Sequence, residues 1–401
     1  MYWLSIVALY LIYGSVSGVS DNQNVESRSA SKFGDKHEKY IELFVVVDYL
    51  TFSYHGDNTE KYIIDMLNTA ARFWNDSTLE VNIGLLLTGI EILREPDPLI
   101  SNDEDANTIL MDFRLWLSSD HSPYSDLNFD VAILITRQDI HIDTNYEATG
   151  KGFVGGVCIE GMKMAIVEDD SPMGLAMSIA HELGHLLGMY HDYQYSDPLC
   201  PDKTFLMSGF TVGGPKSMQW SSCSSEAVQR FVKGRTTNCL NTHGRGEILI
   251  GDHSVGVRYN AEFQCTMLRR EKSFGCNQKD ACSDLSCSTS NPRASCVSVN
   301  RPPLDGTWCG EDSWCQQGLC VKHPINVEQH ANNQNKNIKR FGVGASSSDN
   351  AAYLFLHVSL KVSLLLVLVI VLKIVLKTLR FCSSYLLGLH KARHGKQIWS
   401  V

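Results

Sequence analysis

His181, His185 and His191 fall in the stretch AHELGHLLGMYHD (Ala180–Asp192), with Glu182 beside the first of them. On a helix, residues four apart share a face, so His181 and His185 can present two imidazole nitrogens to one metal ion. Gly188 follows three residues later. A glycine there can end the helix in a left-handed turn and return His191 toward the same point. Three protein ligands leave a fourth position for water, which is the arrangement of a catalytic rather than a structural zinc. Glu182 stands where it could take a proton from that water. Two histidines at this spacing are also a common surface pair. The extended pattern HExxHxxGxxHD fixes six positions, and chance is a poor account of it.

Those residues need a helix and a sheet to hold them. Ser171-Pro172 is a favoured cap followed by a favoured first residue, and a helix is expected from about Pro172 to Leu187. Ile179, Leu183, Leu186 and Leu187 would face the core. Upstream, Ile41–Val47, Leu79–Ile92 and Phe129–Thr136 read as strands, while Glu60–Asn75 and Thr108–Leu117 carry helical apolar patterns. This alternation predicts an α/β layer with a mixed sheet. Gly152–Val157 and Met164–Val167 are expected to form a hairpin whose outer strand borders the cleft and pairs with an extended peptide. Met207, in a loop beyond the third histidine, is a candidate Met-turn that puts apolar sulfur beneath the imidazoles. Ser224–Val232 reads as a closing helix.

The chain has 401 residues, 44% hydrophobic and 20% charged, with a net charge of −9. Residues 351–401 hold seven Lys/Arg and no acid, so the remainder stands at 28 basic against 44 acidic. So acidic a body argues against a nucleic-acid partner. Eight of the 13 cysteines lie between Cys265 and Cys320, which fits an oxidising compartment and a disulfide-stapled module. A structural zinc site is the other use of clustered cysteines, but the cluster contains no CxxC pair. Residues 1–18 read as a secretory signal with Val16 and Gly18 at the cleavage site, and 19–38 as a polar lead-in. Asn75-Asp76-Ser77 is a glycosylation sequon.

Residues 39–241 resemble the adamalysin (reprolysin) group of metzincin zinc metalloproteinases, through YIELFVVVD (Tyr40–Asp48), FDVAILITRQD (Phe129–Asp139), the zinc motif and QWSSCS (Gln219–Ser224). The likeness is strongest to the disintegrin-like metalloproteinases with thrombospondin motifs and, in its compact plan, to short arthropod salivary and venom forms. The resemblance implies zinc on His181, His185 and His191, with Glu182 as general base. It implies pairing of Cys158 with Cys239 and of Cys200 with Cys223. It also offers Glu42, Asp130 and Asn241 as candidate ligands of a structural Ca²⁺, although Thr242 stands where the last ligand usually falls.

Residues 256–323 resemble the cysteine-rich, disintegrin-like module of the same branch, from VGVRYNAEFQC to DGTWCGEDSWCQQGLCV. Such modules help select protein substrates; a disulfide-stapled spacer is the plainer role. Cysteine spacing leaves the module's connectivity open. Neither a long propeptide before Tyr40 nor a thrombospondin repeat after the module is read in the sequence. The expected layout is a peptidase domain at 39–243, a linker at 244–255, the module at 256–323, a disordered linker at 324–350, an apolar segment at 351–377 and a basic tail at 378–401. The apolar segment and tail suit a type I membrane anchor; an interfacial helix is the alternative. Lys339-Arg340 is a candidate processing site, and Cys382 a candidate palmitoylation site or free thiol. The sequence therefore predicts a monomeric zinc endopeptidase, secreted or anchored at the cell surface, that cleaves extracellular proteins of matrix or host. The competing reading is a non-catalytic adhesion or decoy protein acting through its module.

Overall fold

The computed structural model describes residues 39–323, apart from 99, 101–102, 120–126, 211, 242–245, 277–280 and 290–294. The expected signal peptide, membrane segment, Lys339-Arg340 and Cys382 lie outside the described residues. Among the described residues, no helix is long and apolar enough to cross a membrane.

The apolar runs read from the sequence form a six-stranded mixed sheet. Its strands are β1 (Lys39–Val47), β2 (Ile83–Ile92), β3 (Val131–Thr136), β4 (Gly150–Gly152), β5 (Met164–Glu168) and β6 (Glu247–Leu249), in the order β4-β5-β3-β1-β2-β6. The four inner strands are parallel, and β4 and β6 close the edges antiparallel. Both faces of β1 are buried, as a central parallel strand requires. Ile41, Leu43, Val45 and Val47 join one apolar cluster, and Phe44 and Val46 the other. The first cluster lies under α2 (Thr59–Trp74) and α4 (Pro172–Leu186), and the second under α3 (Ala106–Leu117). A short helix not anticipated from the sequence, α1 (Tyr49–His55), follows β1 and is capped by Asp48, which accepts from Thr51 N at 2.7 Å. Asn75 is exposed at the end of α2, where a glycan has room.

Two expectations change. The cleft-side strand is Gly150–Gly152 rather than Gly152–Val157. Residues 153–163 turn instead, with Gly155, Cys158 and Gly161 at φ of 72°, 62° and 76°; a continuing strand has negative φ. Within the stretch expected as a linker, residues 247–249 form a strand. Glu247–Leu249 pairs with Leu85–Leu87 and buries Leu249, so the run EIL closes the open edge of the peptidase sheet.

Before β6 comes α5 (Ser222–Phe231), and beyond it come α6 (Val255–Arg258), α7 (Ala261–Arg269) and the small strands of the module, all in one compact unit with the peptidase part. The module's disulfides are Cys265–Cys287, Cys276–Cys296, Cys282–Cys315 and Cys309–Cys320. Each is internal, so non-covalent contacts hold the module to the sheet. Arg72 meets Asp305 at 2.7 Å, Arg258 meets Asp65 at 2.8 Å, and Arg270 meets Glu168 at 3.1 Å. Gly214 N donates to Ser283 O at 2.7 Å.

Glu168 gives this contact a pH dependence. Burial, and then the charge of Asp170, pushes its carboxyl from 4.5 to about 8 against the pull of Arg270. Folding therefore takes up a proton at Glu168 between those values. The stability this group contributes is complete below the lower value and lost as pH rises through the upper one. Wild-type Tm should fall between about pH 5 and about pH 8.5, and Glu168→Gln should fall less steeply. Equal slopes for the two proteins would contradict this assignment.

Candidate metal centre

Ser171 caps α4 by accepting from Gly174 N at 3.2 Å, and Pro172 supplies its first residue. The helix carries His181 and His185 one turn apart and stops at Leu187. Gly188 follows with φ of 82°, and a Cβ there would lie 2.6 Å from Phe231. Glycine is thus required both by the left-handed turn and by the close approach of α5. The turn brings His191 back. The three Nε2 atoms converge, 3.1 Å apart for His181–His185 and 3.2 Å for the other two pairs.

The donor set fits zinc. His181 Nδ1–H donates to Leu206 O at 2.8 Å, and His185 Nδ1–H to Met189 O at 2.8 Å. A carbonyl can only accept, so both rings turn an Nε2 lone pair inward, as backbone-anchored metal ligands do. Tetrahedral zinc with Zn–N of about 2.0–2.1 Å needs nitrogens roughly 3.3–3.4 Å apart. Burial, followed by repulsion from the other two rings, holds His181 well below its ordinary value. Burial and then His191 bring His185 down to about 4. Burial also lowers His191. Neutral imidazoles are the ligand form.

Glu182 is buried beside this cluster, and its Oε2 has no hydrogen-bond partner among the described residues. Burial pushes its carboxyl up to about 8, and Lys151 pulls it back. A Cβ on Gly150 would lie 2.6 Å from Oε1 and one on Gly152 3.1 Å from Oε2. Both glycines of β4 are therefore spaces occupied by the carboxylate. Met207 is fully buried; its sulfur would lie 2.7 Å from a Cβ on Gly184, on the underside of α4. Its carbonyl accepts from Asp192 N at 2.9 Å, and Asp192 Oδ1 accepts from Ser221 and Ser224 at 2.5 and 3.2 Å. The Met207 segment thus anchors His181 through Leu206, and the chain after His191 through Asp192. Cys200 is bonded to Cys223 beside this segment, and Cys158 to Cys239.

The structure brings Glu42 and Asp130 together: Glu42 N donates to Asp130 Oδ2 at 2.9 Å. Burial pushes the Asp130 carboxyl up to about 6, and the charge of Glu42 adds to this. Asn241 Oδ1 accepts from Lys39 Nζ at 2.5 Å.

Sequence reasoning missed Arg301. This module residue lines the cleft, pairs with Asp170 and donates to Ser171 Oγ at 3.0 Å. Nothing local marks it, since it lies 130 residues from the cap it touches. Lys151 was also missed; a lone cation between two glycines was its only signal.

Fold and site together define the architecture of a zinc metalloprotease. The chain belongs to the reprolysin (M12B) family of zinc metalloproteases, whose model matches residues 39–243. Residues 255–321 match the ADAMTS cysteine-rich domain 2. Human "A disintegrin and metalloproteinase with thrombospondin motifs 19" is 29% identical over 334 residues, covering 76% of this chain and 27% of the relative. Human member 10 is 30% identical over 321 residues, covering 75% and 29%. Rat member 1 is 31% identical over 291 residues, covering 71% and 30%. The chain therefore spans less than a third of the length of these curated relatives.

Proposed function

We propose that this chain is a zinc-dependent endopeptidase of extracellular proteins, with His181, His185 and His191 as metal ligands and Glu182 as general base. The observation that carries the reading is the convergence of three inward-facing Nε2 atoms beside a buried carboxylate with an unpartnered oxygen. Bound zinc would supply Lewis acidity, lowering the pKa of a water and polarising the scissile carbonyl. Glu182 accepts the proton of the attacking water and then hands it to the leaving amine. Gly150 and Gly152 let the backbone of β4 lie against that carboxylate. The outer edge of β4 lies at the end of the sheet, where it can hydrogen-bond an extended peptide.

Six disulfides support a secretory-pathway protein that works outside the cell. The reading divides the chain into a peptidase domain at 39–243 and a cysteine-rich module at 256–323. It includes a structural calcium at Glu42, Asp130 and Asn241, supported by the burial of both acidic residues and by the charge of Glu42 acting on Asp130. The test is cleavage of a protein such as gelatin that stops on chelation and returns with zinc. Binding of such a protein without cleavage would favour the adhesion role instead.

A further inference from the structure

β4 bears one side chain between two glycines. Gly150 and Gly152 face Glu182 and pair with Val167 and Ala165, which belong to the core under α4. Lys151 pairs with Ile166, which belongs to the core under α3. Successive strand residues face opposite sides, so Lys151 is set on the face away from the carboxylate. Its long side chain still lines the cleft, and its positive charge acts on both Glu182 and His185.

Among the described residues, the lysine ion pairs are Lys61–Asp65 and Lys163–Glu160, so Lys151 has no carboxylate at ion-pair distance. The other cation lining the cleft, Arg301, is already paired with Asp170. Glu147 also lines the cleft but is exposed. Lys151 is therefore a half-buried, uncommitted cation on the strand that would hold substrate, one residue from both points where β4 touches the general base.

We propose that Lys151 is a specificity-determining residue that selects an Asp or Glu side chain close to the bond that is cut. This rests on the peptidase reading above. A peptide strand paired with β4 places the residue opposite Lys151 on the same face as Lys151. The flanking glycines offer no competing side chain. A carboxylate there completes a cross-strand pair, and its displacement by one position removes it.

The test uses the full chain and fluorogenic peptides that carry Asp, Asn or Lys at each position flanking one cleavable bond. The readout is the ratio of kcat/KM values within each protein, so any general loss of activity cancels. Zinc content is measured in parallel. Wild type should prefer Asp over Asn by about two- to fivefold at one position, the range of exposed cross-strand charge pairs. The preference should shrink in high salt. Lys151→Met should abolish it, and Lys151→Glu should turn it toward Lys. The same Asp:Asn ratio in all three proteins, with peptides still cleaved, would overturn the inference. If zinc-loaded wild type cleaves none of the peptides, the peptidase reading fails and this inference falls with it.

Discussion

Glu182→Gln is expected to keep zinc and lose turnover. Glutamine has the same shape and would fill the same space against Gly150 and Gly152. It carries no basic oxygen to take a proton from water. Loss of a general base removes about 10²–10⁴-fold of rate, so kcat on a peptide should drop by at least the lower end of that range. Two of the three imidazoles, His181 and His185, do not depend on Glu182 for orientation, because the Leu206 and Met189 carbonyls fix them. Metal analysis should therefore find zinc bound as in wild type. Peptide cleavage within a few-fold of the wild-type rate would remove Glu182 from the role assigned to it.

The second large effect concerns the seam between module and sheet. Asp305 is buried in the module; it takes Arg72 of α2 at 2.7 Å, His253 at 2.9 Å and Gln317 N at 2.8 Å. Arg72 is buried too, and its Nε and Nη1 have no hydrogen-bond partner among the described residues. Burial pulls the guanidinium below its ordinary value, and Asp305 is the leading group that opposes this. Removing one partner of a buried pair strands the other, at a cost of about 3–5 kcal/mol. For a unit of this size, that is a fall in Tm on the order of 10 °C. Asp305→Ala should show it in thermal unfolding, and Asp305→Asn should show less, since an amide oxygen still accepts from Arg72. A Tm within 2 °C or so of wild type for Asp305→Ala would mean that the seam is held elsewhere.

Whatever depends on local periodicity could be read from the residues. The runs Ile41–Val47 and Val131–Thr136 are apolar at all but one position each, Glu42 and Thr136, because both faces are covered, and they became the central parallel strands. The metal helix was legible for a different reason: Ser171, Pro172, the two histidines and Gly188 each demand a backbone state, and those demands agree. What was not legible depends on packing between distant segments. β6 is three residues long, and its only purpose is an edge provided by β2. Arg301 acquires meaning only when the module folds against the cap of α4. The module's four disulfides obey no local rule, since spacing does not encode which thiols meet. Lys151 lay in view, but a cation between glycines reads as a turn until the carboxylate of Glu182 is seen to fill the space beside it.

The most direct measurement follows gelatin cleavage by the full chain through one cycle of metal removal and return. Wild type should cleave internal bonds, stop when a zinc chelator strips the site, and resume when about one equivalent of Zn²⁺ per chain is restored. Glu182→Gln, carried through the same cycle, should bind the returned zinc and stay inactive. Cleavage that persists after the metal is removed, or zinc-loaded wild type that leaves gelatin intact, would contradict the account.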